Sequence, residues 1–420
     1  MRTDAAYARE LDARDELARF RDEFVIDDPA LIYLDGNSLG RLPRRAAARV
    51  RAVVDAEWGA RLIRAWGEGW FTAPQRIGAK VARLVGAAAG EVVVSDSTSV
   101  NLFKLAMAAL AARPDRTRIL TDDLNFPSDL YILQGALRLS GPQHRLEVVR
   151  SPDGLSVSEA ALARAIDGNT ALVALSHTAF KSAFVHDLHR VTDLAHRAGA
   201  LMLWDLCHSV GAMPIALGDA GVDLAVGCTY KYLNGGPGAP AFLHVRHDLQ
   251  ERLGNPMWGW FGQKGQFDLA LDYDAAPGIQ RFLVGTPPML SLAAVEAGVD
   301  LTLEAGLPRV RAKSVAQTEY LIGLWEARLA PLGFTLNSPR EAAQRGSHVS
   351  LGHPEGLQID RALIEEMGVL PDFRYPDNIR FGLAPLYTTF AEIHEAVTRL
   401  ARVVTERRYE KYPTERPEVT

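Results

Sequence analysis

VDLAVGCTYKYLNGGPG, residues 222–238, sets one lysine between a short apolar run and a glycine-rich turn. The run LAVGC at 224–228 reads as a strand covered on both faces, and the NGGPG that follows lets backbone lie close to something bulky. Lys231 stands at the junction. An ammonium drawn out of water loses charge stabilisation, and the neutral amine it becomes can add to a carbonyl. The alternative at such a position is a lysine that snorkels to solvent from a loop. The residues around it decide between the two.

From residue 80 onward, strand-like and helix-like stretches alternate. Strands are expected at 91–95, 118–121, 146–150, 171–176, 200–205 and 224–228, with helices at 101–112, 129–139, 157–167 and 187–198. That alternation predicts an α/β fold whose large domain has a mostly parallel sheet flanked by helices. In such sheets ligands collect beyond the carboxyl ends of the strands. The polar residues at those ends are therefore the candidates.

After VVVS comes the run Asp96, Ser97, Thr98 and Ser99, then an apolar helix. Three hydroxyls at a helix start are commonly an N-cap, but free N–H groups and the helix dipole also make a cup for a phosphate. The GxxxxGK[ST] spacing is absent, so a nucleoside triphosphate is not indicated. NFPSD at 125–129 ends the next strand, and its Phe126 is either plain core or a plate for a flat ring. Ser176 closes the strand after that. Asp205 follows the apolar run 201–204 and should pair with something cationic, either a structural arginine or a ligand. His208 is three residues on. Lys231 comes twenty-six residues after Asp205, about one crossover to a further strand. A lysine for an aldehyde, a carboxylate for a ring nitrogen, a phosphate cup and an aromatic plate are together what pyridoxal 5'-phosphate requires.

Before this region, residues 4–25 carry a helical pattern, LIYLDGNSLGRLP begins with a short strand at 31–34, and Pro43 can open a helix over 44–58. Trp58, Trp66 and Trp70 read as packing, or as walls for an aromatic substrate. Residues 1–60 are expected to form an N-terminal segment, 61–300 the large cofactor-binding domain, and 301–420 a smaller α/β domain. That smaller domain should hold a helix at 307–329, strands at 333–336, 348–351 and 378–382, and a helix at 389–404. The tail beyond Arg408, charged and proline-bearing, is expected to be frayed.

Composition bounds the function. With 420 residues, 48% hydrophobic and 23% charged, and a net charge of -5, the chain is an ordinary globular protein without a basic field for nucleic acid or anionic lipid. A small-molecule partner is expected, with no nucleic acid and no membrane. No apolar run approaches a membrane span, and the charged start lacks the apolar core of a signal peptide, so a cytoplasmic location is expected. Two cysteines, Cys207 and Cys228, make no disulfide framework, and without CxxC or HExxH no metal site is expected.

GNSLGRLP (36–43), DSTSVNLFK (96–104), NFPSD, DLCHSVGA (205–212), CTYKYLNGGPGAP (228–240), GTPP (285–288) and PDNIRFGLAPLYTTF (376–390) together resemble the kynureninases. The resemblance runs in order from about residue 31 to 400, and departures such as Cys207 and Thr229 are small. It implies the aspartate aminotransferase-like fold, fold type I of the pyridoxal-phosphate enzymes, in a homodimer with sites at the subunit boundary. It also implies hydrolysis of the Cβ–Cγ bond of L-kynurenine or its 3-hydroxy derivative to L-alanine and anthranilate or 3-hydroxyanthranilate. Such a reaction belongs to tryptophan catabolism and NAD precursor synthesis.

By the same resemblance, Lys231 is the Schiff-base lysine and Asp205 the partner of the pyridine nitrogen. Thr98, Ser99 and the Tyr230 hydroxyl bind phosphate, while Phe126, Asp129, Ser176 and His208 surround the ring. Trp260 and Thr286 reach the cofactor of the partner subunit. Arg380 clamps the substrate carboxylate, Ser38 lies with the substrate, and Tyr230 and Ser38 are the candidates for activating water. A cysteine desulfurase would need a reactive cysteine well after the lysine, and none follows Cys228. An aminotransferase would consume a keto acid, and a regulator with a dead site would not need both Lys231 and Arg380.

Overall fold

Seven strands make the central sheet of the computed structural model, which describes residues 2–415. Their order across the sheet is Val92–Val94, Phe242–Val245, Leu224–Gly227, Leu201–Asp205, Thr170–Ser176, Arg118–Asp122 and Arg145–Val149. The last five run parallel, and Phe242–Val245 is antiparallel to both its neighbours. The three middle parallel strands are buried at every residue, as continuous apolar runs require when helices cover both faces. Alternation divides them between two cores. Val173, Leu175, Met202, Trp204 and Ala225 face one, and Ala174, Leu201, Leu203, Leu224 and Val226 the other.

The expected strands and helices of this region are all present, with ends shifted by a few residues. The helix after Val92–Val94 spans Thr98–Ala111 and starts three residues early, because Ser97 caps it by accepting from the Val100 N–H. Phe242–Val245 was not expected. It returns antiparallel after the lysine turn, which an alternation of strand and helix does not signal.

Helix Met289–Ala305 leads at Gly306, whose φ of +79° suits glycine, directly into helix Leu307–Leu324. A four-stranded antiparallel sheet follows, ordered Asp372–Arg374, Asn378–Gly382, His348–Gly352 and Thr335–Leu336. Helices Gly356–Met367 and Phe390–Thr405 share its core, the latter started by a Thr389–Glu392 capping box. Ala8, Ile32 and Leu34 are buried in that same core, and Ile32–Tyr33 pairs parallel with Val369–Leu370.

The tail departs from its expectation. Through residue 415 it is docked on helix Gly356–Met367, where Gln358 donates to the Tyr412 carbonyl at 2.6 Å, Tyr412 donates to Glu366 at 3.0 Å, and Arg361 donates to the Pro413 and Glu415 carbonyls. Residues 416–420 lie outside the described residues. No helix among the described residues is long and apolar enough to cross a membrane.

Candidate active site

Parallel pairing sets the site. Asp205 sits opposite Ser176 on one side and Val226 on the other, so the carboxyl ends of three strands open on one edge. A cavity of about 260 Å³ lies there. Of the expected residues, Ser38, Thr98, Ser99, Phe126, Asp129, Asp205, His208, Tyr230, Lys231 and Arg380 line it. Asn37, Ser128, Cys207 and Arg374 join them.

Lys231 points into the cavity from the turn after Leu224–Gly227, and its Nζ lies 2.9 Å from His208 Nε2. Burial, reinforced by the Lys231 charge, pushes the His208 imidazole well below its ordinary range. His208 is therefore neutral and accepts from the amine. The turn at 36–40 braces this one: the Gly40 N–H donates to the Tyr230 carbonyl at 2.8 Å, and a Cβ at Gly40 would collide with the Lys231 carbonyl and Asn234.

Two carboxyls share the floor. Asp205 Oδ1 accepts from the Cys207 N–H at 2.8 Å. Burial and the adjacent Asp205 carboxylate push Asp129 far up, so Asp129 keeps the proton and the pair carries one negative charge. Thr98 and Ser99 open one helix, and Ser128 lies in the first turn of Pro127–Ser140. Ser99 Oγ and Ser128 Oγ are 3.2 Å apart, so two positive helix ends converge on one point. Behind them Lys104, fully buried, donates to Asp96 and to the Phe282 carbonyl, each at 2.7 Å. It fixes Asp96 at a φ of +52° just before the cup. Phe126 forms the wall, edge-on to Phe180 with centroids 5.1 Å apart.

The far wall comes from the smaller sheet. Arg380, 1% exposed, forks onto Asp372, with Nε donating to Oδ1 at 2.7 Å and Nη2 to Oδ2. Nη2 also donates to Ser38 Oγ at 3.1 Å, and Nη1 donates to the Phe180 carbonyl. The Ser38 hydroxyl in turn donates to Asp372 Oδ2 at 3.1 Å, and Arg374 pairs with that oxygen at 2.6 Å. With its amide turned, Asn37 adds an oxygen 3.1 Å from Arg380 Nε. Although burial opposes it, the Arg380 guanidinium keeps Asp372 below the ordinary carboxylate range. Burial and Asp372 push neighbouring Asp35 up to about 7.

Three expected residues are not brought into the cavity. Ser176 is buried one strand over, its N–H taken by Asn125 Oδ1. Trp260 and Thr286 are exposed on this chain. Of the residues that sequence reasoning missed, Lys104 had a signal, a single charge within an apolar helix, whereas Asn37, Ser128, Asp372 and Arg374 had none.

The donor set suits pyridoxal phosphate: an amine and a carboxylate in one cavity, hydroxyls at a double helix terminus, and an aromatic wall. Residues 310–400 match the family described as the kynureninase C-terminal domain. The chain is 46% identical over 399 residues to kynureninase from Pseudomonas fluorescens, covering 94% of each chain. It is 44% identical over 400 residues to kynureninase from Burkholderia pseudomallei strain K96243, again covering 94% of each. Among solved structures it resembles a cysteine desulfurase from Thermococcus onnurineus NA1, with a TM-score of 0.77 and 18% identity over 92% of this chain and 98% of that one. It also resembles the cystine C-S lyase C-DES in complex with cysteine persulfide, with a TM-score of 0.76 and 20% identity over 88% and 97%. At those identities the structural likeness speaks for the fold.

Proposed function

The chain belongs to the kynureninase family, and from that premise we propose how its own residues carry the reaction. It is a pyridoxal-phosphate-dependent kynureninase, cleaving a carbon–carbon bond of L-kynurenine with water to give anthranilate and L-alanine. The observation that carries the assignment of roles is the single cavity lined by Lys231, Asp205, Thr98, Ser99 and Arg380.

Bound pyridoxal phosphate supplies an aldehyde that joins to amines and a pyridinium ring that accepts an electron pair. Thr98, Ser99 and Ser128 hold its phosphate at the paired helix ends, and Phe126 covers its ring. Lys231 holds the aldehyde in the resting enzyme. Asp205 keeps a proton on the ring nitrogen, and protonated Asp129 beside it holds the floor at a single charge. Arg380 and Arg374 together outweigh Asp372 in charge and receive the substrate carboxylate. That anchoring turns the substrate Cα–H toward Lys231. Neutral His208 accepts one amine hydrogen at 2.9 Å, which leaves the amine lone pair free to take the Cα proton.

Of the two candidates for handling water, Tyr230 fits better as a proton donor, because burial pushes its phenol up and keeps it protonated. Ser38 has already spent its hydroxyl hydrogen on Asp372. Ser38 therefore orients Arg380 rather than activating water.

We further propose a homodimer in which Trp260 and Thr286 reach the cavity of the partner. Its support is the apolar surface of residues 258–271, where Trp258, Trp260, Phe267, Leu269 and Leu271 are all exposed. The 3-hydroxy substrate, a role in tryptophan catabolism and NAD precursor synthesis, and a cytoplasmic location complete the reading. Incubation with L-kynurenine and no keto acid should yield anthranilate and alanine in equal amounts, with no sulfide from L-cysteine. Kynurenic acid formed only when a keto acid is added would identify an aminotransferase instead.

A further inference from the structure

The strand ends that carry Asp205 and Lys231 also carry the only two thiols of the chain. Asp205 pairs with Val226 in the parallel ladder, and the Leu206 N–H extends it by donating to the Val226 carbonyl at 2.8 Å. Two residues beyond Asp205 and Val226, past the ends of both strands, stand Cys207 and Cys228. The Cys228 N–H donates to Cys207 Sγ at 3.1 Å, and Cys228 Sγ lies 3.7 Å from the Cys207 carbonyl. Both are free thiols. With Cys207 Sγ already 3.1 Å from the Cys228 N, the sulfur of one lies beside the backbone of the other, so side-chain rotation suffices to join the two sulfurs. Cys207 lines the cavity, where a small oxidant can reach it, while Cys228 lies behind at 1% exposure.

We propose that Cys207 and Cys228 are a reversible oxidation site, closed to a disulfide by hydrogen peroxide entering the cavity and shielded by bound cofactor. The shielding rests on the reading of this cavity as the cofactor site; the disulfide does not. Cys207 sulfur, as thiolate, attacks one peroxide oxygen, the O–O bond breaks, and hydroxide leaves with the thiol proton as water. Cys228 sulfur then attacks the Cys207 sulfenic sulfur, the S–O bond breaks, and a second water leaves with the Cys228 proton. Two thiols and one peroxide become one disulfide and two waters. The Cys228 sulfur and burial push the Cys207 thiol up, so closure quickens as pH rises. Because the Cys207 N–H orients Asp205 and Cys228 leads into Tyr230 and Lys231, closure ties two cofactor-facing turns to each other.

The test treats the full chain with hydrogen peroxide, either saturated with pyridoxal phosphate or stripped of it, and reads intact mass, free thiols and non-reduced peptides. The stripped chain should lose the mass of two hydrogens and both thiols, yield a peptide linking Cys207 to Cys228, and recover with dithiothreitol. Its cofactor affinity should fall about tenfold while oxidised. The loaded chain should close about tenfold more slowly. In Cys228→Ser, Cys207 should instead gain oxygen. Oxygen addition without the linked peptide, or thiols that survive in the stripped chain, overturn the site. Linked peptides at equal rates in both arms overturn the shielding, while cofactor absorbance independently reports whether the cavity was loaded.

Discussion

The two walls of the cavity are built on opposite plans. On the large-sheet side, Lys231 touches one neutral imidazole, His208 leaves Nδ1 buried without a partner among the described residues, and Asp129 keeps its proton beside Asp205. On the small-sheet side, Arg380 is held in place by Asp372, Ser38 and the Phe180 carbonyl, with one Nη1 hydrogen left over. One wall holds groups whose protons can move, and the other holds charges pinned in place. Chemistry and recognition are thus divided between two sheets, and substitutions on the two walls should fail in different ways.

Lys231→Ala should fail most severely, with a loss of about four decades or more in turnover, because attachment and proton transfer disappear together. Residual turnover close to wild type would break the division at its root. Asp205→Ala removes the ionised member of the floor and should cost roughly 3–5 kcal/mol, about two to four decades, and weaken cofactor binding. Cofactor titration beside kinetics checks it, and an unchanged pair of values would mean that another group protonates the ring.

On the other wall, Arg380→Ala should lower kcat/KM about a hundredfold while the cofactor spectrum stays as in the wild type. Arg380→Lys should not rescue it, since an ammonium cannot fork onto Asp372. A spectrum that changes with Arg380 would merge the two walls into one unit.

The smallest effect on catalysis is expected deeper in the small domain. Asp360 is buried with Oδ1 unpartnered among the described residues, and burial pushes its carboxyl up to about 8 from an ordinary 3.8. Between those values the unfolded chain sheds a proton that the folded chain keeps. Stability from this group is therefore lost as pH rises across that window and is level above it. Asp360→Asn, which cannot titrate, should gain stability over wild type progressively from pH 4 to 8, by a few kcal/mol at the upper end. Denaturant midpoints with equal advantage at pH 5 and pH 8 would contradict this.

The large-sheet wall was far more legible in the sequence than the small-sheet wall. Buried parallel strands such as Leu201–Asp205 announce themselves as apolar runs, and that run ends on Asp205, a polar residue that lines the cavity. Phe242–Val245 escaped because its run follows a loop without a helix and returns antiparallel. Arg380 was found through its resemblance to a family motif and Ser38 was named with it, but its partners Asn37 and Asp372 were not. Asn37 and Ser38 meet it across more than three hundred residues, and Asp372 sits on a three-residue strand with no pattern of its own. The N-terminal segment likewise carries no sign that Ile32 and Leu34 complete the core of the C-terminal unit. The tail misled in the other direction: charged and proline-bearing, it nevertheless docks by backbone carbonyls onto Gln358 and Arg361.

The division of labour rests on Lys231 being the amine that holds the cofactor. Borohydride reduction of the loaded wild-type chain, followed by proteolysis and peptide mass spectrometry, tests this directly. The reduced cofactor should be found on the peptide containing Lys231 and on no other. An adduct on Lys104, Lys181 or any further lysine, with the Lys231 peptide unmodified, would contradict the account.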